Sequence, residues 1–215
     1  MTIHYLEMFV AATLVFGLPS VAVAQTITFA DAAIGSKPKD FEYGLTGGGP
    51  AANWEIVADA TAIGGKALAQ TSKDTTDYRF PLAIYTPTVL ANVEVTVRFK
   101  PVAGRVDQAG GVVVRFADAN NYYVVRANAL EDNIRFYRVV DGRRQQLEGF
   151  NGKVKSGEWR TLTLRVEGEN FTVSSEGQQL FTVSDKTFPR AGKVGLWTKA
   201  DSVTNFDQIK INALP

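Results

Sequence analysis

The chain has 215 residues and a formal net charge of +1 at pH 7, and no block of lysine or arginine interrupts it, which argues against nucleic acid or an anionic membrane surface as the partner. There is no cysteine, and the one histidine (His4) and the two methionines (Met1 and Met8) all lie near the N-terminus. The body of the chain therefore excludes disulfides, thiolate or imidazole metal sites, haem ligation through these residue types, and catalysis by a Ser-His-Asp triad or a cysteine nucleophile.

The N-terminus has the pattern of a secretory signal peptide. Met8–Leu18 is apolar, Pro19 interrupts it, and Ala22-Val23-Ala24 is the small-x-small pattern that a signal peptidase recognises. The apolar stretch is short for spanning ~30 Å of hydrocarbon. We predict a signal peptide over residues 1–24, one domain over residues 25–215 without a membrane span, and a periplasmic or secreted location. An uncleaved anchor is the alternative, because no lysine or arginine precedes the apolar stretch.

The rest of the chain follows the two-residue period of β-strands. In Val93–Lys100 apolar residues alternate with polar ones without error. The same alternation recurs in Thr161–Val166, Asn170–Val173, Gln179–Val183, Lys193–Thr198 and Thr204–Ile211. Hairpin signals such as Asp141-Gly142 separate the strands, and no window of a dozen residues shows helical spacing. Short strands at this density predict an all-β fold, a two-sheet antiparallel jelly-roll sandwich.

Gly110–Val140 predicts three consecutive antiparallel strands with an unusual outward face. Alternation turns Val112, Val114, Phe116, Tyr123 and Phe136 inward. The opposite face, with the late strand near Gly195, then gathers basic, aromatic and amide side chains: Arg115, Tyr122, Arg126, Asn128, Arg135, Tyr137, Trp197 and Lys199. Aromatic rings stack on sugar rings and guanidinium groups donate paired hydrogen bonds, so we predict that this face binds a carbohydrate or glycoside. There are two alternatives. The arginine and tyrosine side chains could form cross-strand pairs that only stabilise a solvated sheet, or Trp197 could lie in the core.

Any acid–base chemistry would need carboxylates at strand ends. Glu131 and Asp132, after Asn128, and Asp107 are the candidates, because nearby arginines would keep them ionised. The alternative is a polar hairpin loop whose side chains cap backbone amides. No cofactor is expected. Hard oxygens are the only metal donors available, so the candidates for a structural calcium ion are Asp31 and Asp207, near the two ends of the domain.

Two long phrases carry a resemblance to a known family: Asn121–Asn133 (NYYVVRANALEDN) and Gly192–Ser202 (GKVGLWTKADS). Together with the hairpins they resemble the concanavalin A-like jelly-roll proteins, in particular the bacterial 3-keto-disaccharide hydrolase-like group, which is related in fold to laminin-G domains and family-16 glycosidases. The resemblance covers Phe29 to Ile211. It implies a concave face that meets sugar, but the Glu-x-Asp-x-Glu run of family-16 glycosidases is absent.

We therefore expect an exported domain that recognises a glycan or glycoside on its Arg/Tyr/Trp face. Two alternatives stay open. One is a hydrolase of 3-keto-disaccharides or related glycosides that uses Glu131, Asp132 or Asp107. The other is a structural or protein-interaction jelly roll. The sequence identifies no protein partner.

Overall fold

The computed structural model describes residue 1 and residues 24–215, and the strands account for most of this part of the chain. In chain order they are β1 (Ala24–Thr28), β2 (Phe41–Gly47), β3 (Trp54–Ala58), β4 (Lys66–Gln70), β5 (Arg79–Leu90), β6 (Val93–Ala103), β7 (Ala109–Asp118), β8 (Asn121–Asn128), β9 (Asn133–Val140), β10 (Arg143–Asn151), β11 (Arg160–Glu167), β12 (Asn170–Ser175), β13 (Gln178–Ser184), β14 (Gly192–Trp197) and β15 (Val203–Ala213). A 3-10 turn (Ile63–Gly65) is the one helical element described.

The strands form two antiparallel sheets. The eight-stranded sheet has the order β13-β12-β11-β6-β15-β4-β3, with β1 also paired to β15. The seven-stranded sheet has the order β10-β9-β8-β7-β14-β5-β2. This confirms the predicted all-β sandwich. No helix among the described residues is long and apolar enough to cross a bilayer. Nearly all of the predicted signal peptide lies in residues 2–23, outside the described residues.

The main core lies between the two sheets, where alternation along each strand places one set of side chains. On β6, Val93, Val95, Val97 and Phe99 are buried, while the residues between them are partly exposed. The burial of side chains along β6 therefore follows the predicted two-residue period. Leu162 and Leu164 of β11 join the same core, since β11 pairs with β6 in register.

A second apolar cluster covers the face of the seven-stranded sheet that points away from the eight-stranded sheet, here called the outer face. Its members come from five of the seven strands: Phe80, Leu82, Ile84, Ala109, Val113, Phe116, Tyr122, Val124, Tyr137, Val139 and Trp197. In a flat sheet packed on one face only, these side chains would be exposed to water. They are buried because the sheet curls around them.

Hydrogen bonds between distant strands hold the curl. Thr46 on edge strand β2 reaches Tyr122 of β8, with 2.8 Å between the two hydroxyl oxygens. Tyr78, just before β5, donates to Gly142 O (2.8 Å) and accepts from Arg144 N (2.9 Å) at the start of β10. Because β2 and β10 are the two edges of the sheet, these contacts draw its margins together over the outer face.

Candidate functional site

The predicted side-chain directions hold on β8 and β9. Tyr123 and Phe136 lie in the core between the sheets, whereas Tyr122 and Tyr137 lie in the cluster on the outer face. Trp197 of β14 joins that cluster. Parity along these two strands thus follows from the sequence, because hydrophobic alternation specifies which face is buried against the opposite sheet.

The predicted exposure of this face is wrong. Tyr122, Asn128 and Trp197 are 0% exposed and Arg126 is 4% exposed. Arg144 of β10 lies across the rings, with its guanidinium carbon 4.4 Å from the centroid of Tyr137, 4.8 Å from that of Phe80 and 5.7 Å from that of Trp197. The curl of the sheet and this arginine replace the expected open aromatic platform with a closed one.

Arg115 lies on the wrong side of the sheet for the predicted face. It has a positive φ of 48° and the pairing of β7 with both neighbours shifts around it, which marks a β-bulge. The extra residue reverses the parity beyond it, so that Phe116 joins the outer cluster and the guanidinium of Arg115 turns toward the core side. There it donates to the carbonyl oxygens of Ala91, Gly168 and Phe188, a structural role.

Six of the predicted site residues do meet, in a group that we call the polar cluster: Asp107, Arg126, Asn128, Glu131, Tyr137 and Lys199. Strand ends explain why. The sheet places β9, β8, β7 and β14 side by side. Asn128 ends β8, Asp107 precedes β7, Glu131 lies in the β8–β9 turn and Lys199 follows β14. All four positions therefore fall at the same end of the sheet.

Three ion pairs, in two groups, organise the polar cluster. Lys199 Nζ lies 2.6 Å from Asp107 Oδ2 and 2.7 Å from Asp77 Oδ1. Arg126 Nη2 donates to Glu131 Oε2 (2.8 Å) and to Tyr137 OH (3.1 Å). Asn128 belongs to the first group, because it donates to the second oxygen of Asp107. The result is two neighbouring sets of hydrogen-bond donors and acceptors on strand ends.

Burial and hydrogen bonding act in opposite directions on the pKa values of the charged groups in the polar cluster. Burial works against ionisation of Glu131, but Arg126 and Asn133 outweigh it and lower the pKa of that carboxyl. Burial also opposes the charge on Lys199, yet its hydrogen bonds to Asp107 and Asp77 raise its pKa. Burial raises the pKa of Asp107, against the lowering effect of Lys199. Burial also distinguishes the charged groups that a ligand can reach from those that hold them in place.

Exposure separates these roles. The side chains of Asp77 and Glu131 are 76% and 44% exposed, whereas that of Asp107 is 1% exposed. Glu131, Asp77 and the edge of Lys199 therefore form the accessible rim, and Asp107 supports it from beneath. Arg126 Nε, Arg144 Nη1 and Trp197 Nε1 are buried with no hydrogen-bond partner among the described residues.

Two predicted site residues lie apart from the polar cluster. The carboxylate of Asp132 turns away, to Lys153 Nζ (2.8 Å) and the backbone N–H of Val154 (3.1 Å). Arg135 is on the outer face but donates to Phe150 O (2.9 Å) of the adjacent strand β10. Adjacent in sequence, Glu131 and Asp132 thus have different surroundings.

Sequence reasoning missed three residues at this site. Asn133 accepts from Arg126 and donates to Glu131 (3.1 Å), and its place opposite Asn128 in the predicted hairpin was a usable signal. Asp77 carried no such signal, because it reaches the site through Lys199, which lies far away in the chain. Arg144 lies close to Tyr137 across the predicted hairpin at Asp141-Gly142, which was a usable signal, but its contacts with Phe80 and Trp197 are long-range.

The two residues considered for a calcium ion have different surroundings. Asp207 Oδ2 accepts from the backbone N–H of Ile63 (2.7 Å) and pairs with Arg98, while Asp207 Oδ1 is buried without a hydrogen-bond partner among the described residues. Beside Asp31, the ammonium of Lys66 donates to the carbonyl oxygens of Ala30 and Ala32, at 2.8 Å each. A calcium ion held by Asp31 and Asp207 therefore stays a prediction. The part of the chain that the structure describes contains no group of three or more acidic, histidine or cysteine residues suited to a metal.

Comparison with known proteins extends this picture. Residues 83–214 match the model of the family described as "Galactocerebrosidase, C-terminal lectin domain", a range that includes every member of the polar cluster. Galactocerebrosidase of Danio rerio is 36% identical over 114 residues, which are 52% of this chain and 16% of that protein. The chain thus corresponds to a small part of its curated relative.

Solved structures show the same fold. The carbohydrate-binding module CBM66 of Bacillus subtilis matches with a TM-score of 0.58 and 19% identity, over 77% of this chain and 91% of the module. Domain 4 of AbnA, an extracellular family GH43 arabinanase of Geobacillus stearothermophilus solved with arabinotriose, matches with a TM-score of 0.58 and 13% identity, over 89% of this chain and 93% of that domain.

The lectin-like part of the expected resemblance is thereby confirmed, while membership of the 3-keto-disaccharide hydrolase-like group stays a prediction. The matched range begins within β5 and ends at residue 214, and so contains most of the sandwich and the polar cluster. Because the family model covers more than half of the chain, this protein belongs to the family of galactocerebrosidase C-terminal lectin domains and is a lectin-like carbohydrate-binding domain.

Proposed function

We propose that the domain binds a glycan at the polar cluster, with Glu131, Lys199 and Asp77 as the first contacts. The observation that carries this proposal is that six residues selected from the sequence as sugar ligands or carboxylates converge on one hydrogen-bonded end of the outer face. Carboxylate oxygens accept from sugar hydroxyls and an ammonium donates to them, so this rim offers both partners that a hydroxyl needs.

The support beneath the rim favours binding over a merely solvated surface. Arg126 contacts Glu131, Asn133 and Tyr137 while it is 4% exposed. A buried guanidinium holding three partners orders the Glu131 side chain before any ligand arrives. Such preorganisation lowers the conformational entropy that binding would otherwise lose.

Arg144 determines how far the ligand goes. In the conformation described, the rings of Phe80, Tyr137 and Trp197 lie beneath this arginine. A sugar therefore engages the polar rim first, and stacking on these rings requires Arg144 to move aside. The name of the Danio rerio relative makes galactose-containing glycans the first class to test.

The hydrolase alternative has one observation in its favour. The pKa of Asp107 is raised by burial while that of Glu131 is lowered by Arg126 and Asn133 against burial, and separated pKa values are typical of an acid and base pair. However, Asp107 is 1% exposed and paired with Lys199. A substrate does not reach it in this conformation, so binding is the function that the geometry supports better.

We also propose that the domain acts in the periplasm or outside the cell. The support is the predicted signal peptide together with the lectin family. N-terminal sequencing of the exported protein is expected to begin at Gln25, which leaves β1 paired to β15 from Gln25 to Thr28. A mature protein that retains residues 1–24 would contradict the predicted cleavage.

The binding proposal is tested by a matched pair of neighbouring carboxylates. Glu131→Gln is expected to weaken glycan affinity about tenfold, because it removes a charged acceptor from the rim. Asp132→Asn should leave affinity within about twofold, since Asp132 faces Lys153 instead. Calorimetric titration with galactose-terminated oligosaccharides, after a glycan-array screen, measures both. Equal effects of the two substitutions would remove the polar cluster as the binding site.

A further inference from the structure

Trp159 is placed differently from the other two tryptophans. Trp54 and Trp197 are fully buried, whereas Trp159 is half-buried and lies just before β11, on the eight-stranded sheet. It therefore lies on a different sheet from the polar cluster, which belongs to the seven-stranded sheet. Partly exposed tryptophan is a common means of binding the apolar face of a sugar ring.

The ring of Trp159 is held in place by its neighbours. Its Nε1 donates to Thr61 Oγ1 (2.9 Å). Arg98 and Lys100 approach the ring, with the guanidinium carbon 4.6 Å and the ammonium 5.0 Å from the centroid. Asp207 and Asp59 in turn pair with these two cations. Because these contacts already fix one part of the Trp159 ring, its side chain loses little conformational freedom when a ligand packs against the remaining part.

A depression of about 180 Å³ borders the free part of the Trp159 ring. Neither Thr61 nor the two cations line it, so the ring meets the depression with surface that they do not cover. A second depression, of about 190 Å³, adjoins it and shares Lys153, Arg160 and Glu176. The second depression is bordered by Phe150, whose side chain is unusually exposed for a phenylalanine, at 40%.

The two depressions make one groove with an aromatic ring at each end and polar groups between them. Opposite charges occur together along it: Lys155 pairs with Glu158 (3.1 Å), Lys153 pairs with Asp132 (2.8 Å), and Arg160 and Glu176 both line the wall that the two depressions share. A groove of this volume and balanced charge suits a neutral ligand longer than one sugar ring.

We infer that this groove, from Trp159 to Phe150, is a second carbohydrate-binding site, for a neutral oligosaccharide that stacks on both rings. Lys153, Arg160 and Glu176 supply donors and acceptors to the hydroxyls between the stacked sugars. The inference goes beyond binding at the polar cluster and does not depend on it, because no residue is shared between the two sites.

The three tryptophans make the two sites separately observable. In a proton–nitrogen spectrum of the mature protein, each indole N–H gives its own signal, which single Trp→Phe substitutions assign. Titration with arabinotriose, maltotriose and galactotriose is expected to shift the Trp159 signal in a saturable way with at least one of them. Trp54, which is fully buried, serves as the internal reference. A shift at Trp197 instead would report binding on the outer face.

Phe150→Ala provides the second test. It is expected to weaken the titration at Trp159 about tenfold, through loss of one stacking surface. Ile34→Ala, at an even more accessible apolar residue (63% exposed) that does not line the groove, should have no effect. The inference is overturned if no neutral trisaccharide shifts Trp159 at about 10 mM, or if Phe150→Ala leaves the affinity unchanged. Tighter binding of trigalacturonic acid would overturn the assignment to a neutral ligand.

Discussion

Lys199→Met is expected to lower the free energy of unfolding by about 3 kcal/mol at pH 7, although lysine and methionine have similar length. The substitution removes the ammonium that lies 2.6 Å from Asp107 Oδ2. Asp107 is 1% exposed, so its carboxylate would remain buried without an opposing charge. Breaking a buried pair in this way is costly, whereas the intact pair contributes little net stability. Urea denaturation of the two proteins measures the difference.

The loss of stability should depend on pH in a direction that identifies Asp107. Burial raises the pKa of this carboxyl and Lys199 lowers it, so removal of Lys199 raises it further. An unfolded aspartate has its ordinary pKa of about 3.9. At a pH between this pKa and the raised pKa of Asp107 in the folded variant, Asp107 is protonated in the folded variant but ionised in the unfolded chain. Stability of the variant therefore falls as pH rises through this window, and its deficit relative to the natural protein is smallest at acid pH.

Lys155→Met is the matched control for Lys199→Met. Lys155 also pairs with a carboxylate, Glu158, but both side chains are more than half exposed. Exposed pairs contribute less than about 1 kcal/mol, because water screens them. If the two substitutions destabilise the fold equally, or if the deficit of Lys199→Met does not change with pH, Asp107 is not buried as a charge in solution.

Trp197→Ala is expected to destabilise the domain by about 3–5 kcal/mol, the cost of a cavity left by a large aromatic side chain. Trp197 is 0% exposed and stacks on Phe80, with 5.2 Å between the ring centroids and 23° between the planes. Arg144 covers the same rings. Thermal and chemical unfolding of the variant would show the loss directly.

Trp159→Ala is the comparison for Trp197→Ala, since the same atoms are removed from a half-buried ring. Its expected cost is no more than about 2 kcal/mol, in proportion to the smaller area returned to water. Equal costs at the two positions would contradict the closed outer face. If Trp197→Ala lost sugar binding, the loss could be caused by the weakened fold. The Glu131→Gln and Asp132→Asn pair is therefore the more direct test of the binding site.

Local pattern was sufficient for the strands and for much of the polar cluster. The alternation in Val93–Lys100 is directly visible in the chain, and β6 buries the predicted side chains. The turn after Asn128 placed Glu131 at a strand end, where Arg126 holds it. Both conclusions need only the period of two and the position of a hairpin, which are properties of neighbouring residues.

Alternation and turn residues within the chain were thus enough to predict the all-β fold, the parity of most strands and many of the residues that meet at one end of the sheet. The closure of the outer face became visible only once the strands were arranged in the fold. Its closure depends on contacts such as Thr46 with Tyr122 and Tyr78 with Arg144, each more than sixty residues apart in the chain. The bulge at Arg115 likewise depends on pairing with β14 and β8. Sheet curvature and bulges arise from the packing of several strands together. Alternation within one strand indicates which side of that strand is apolar, but it does not indicate what covers the other side.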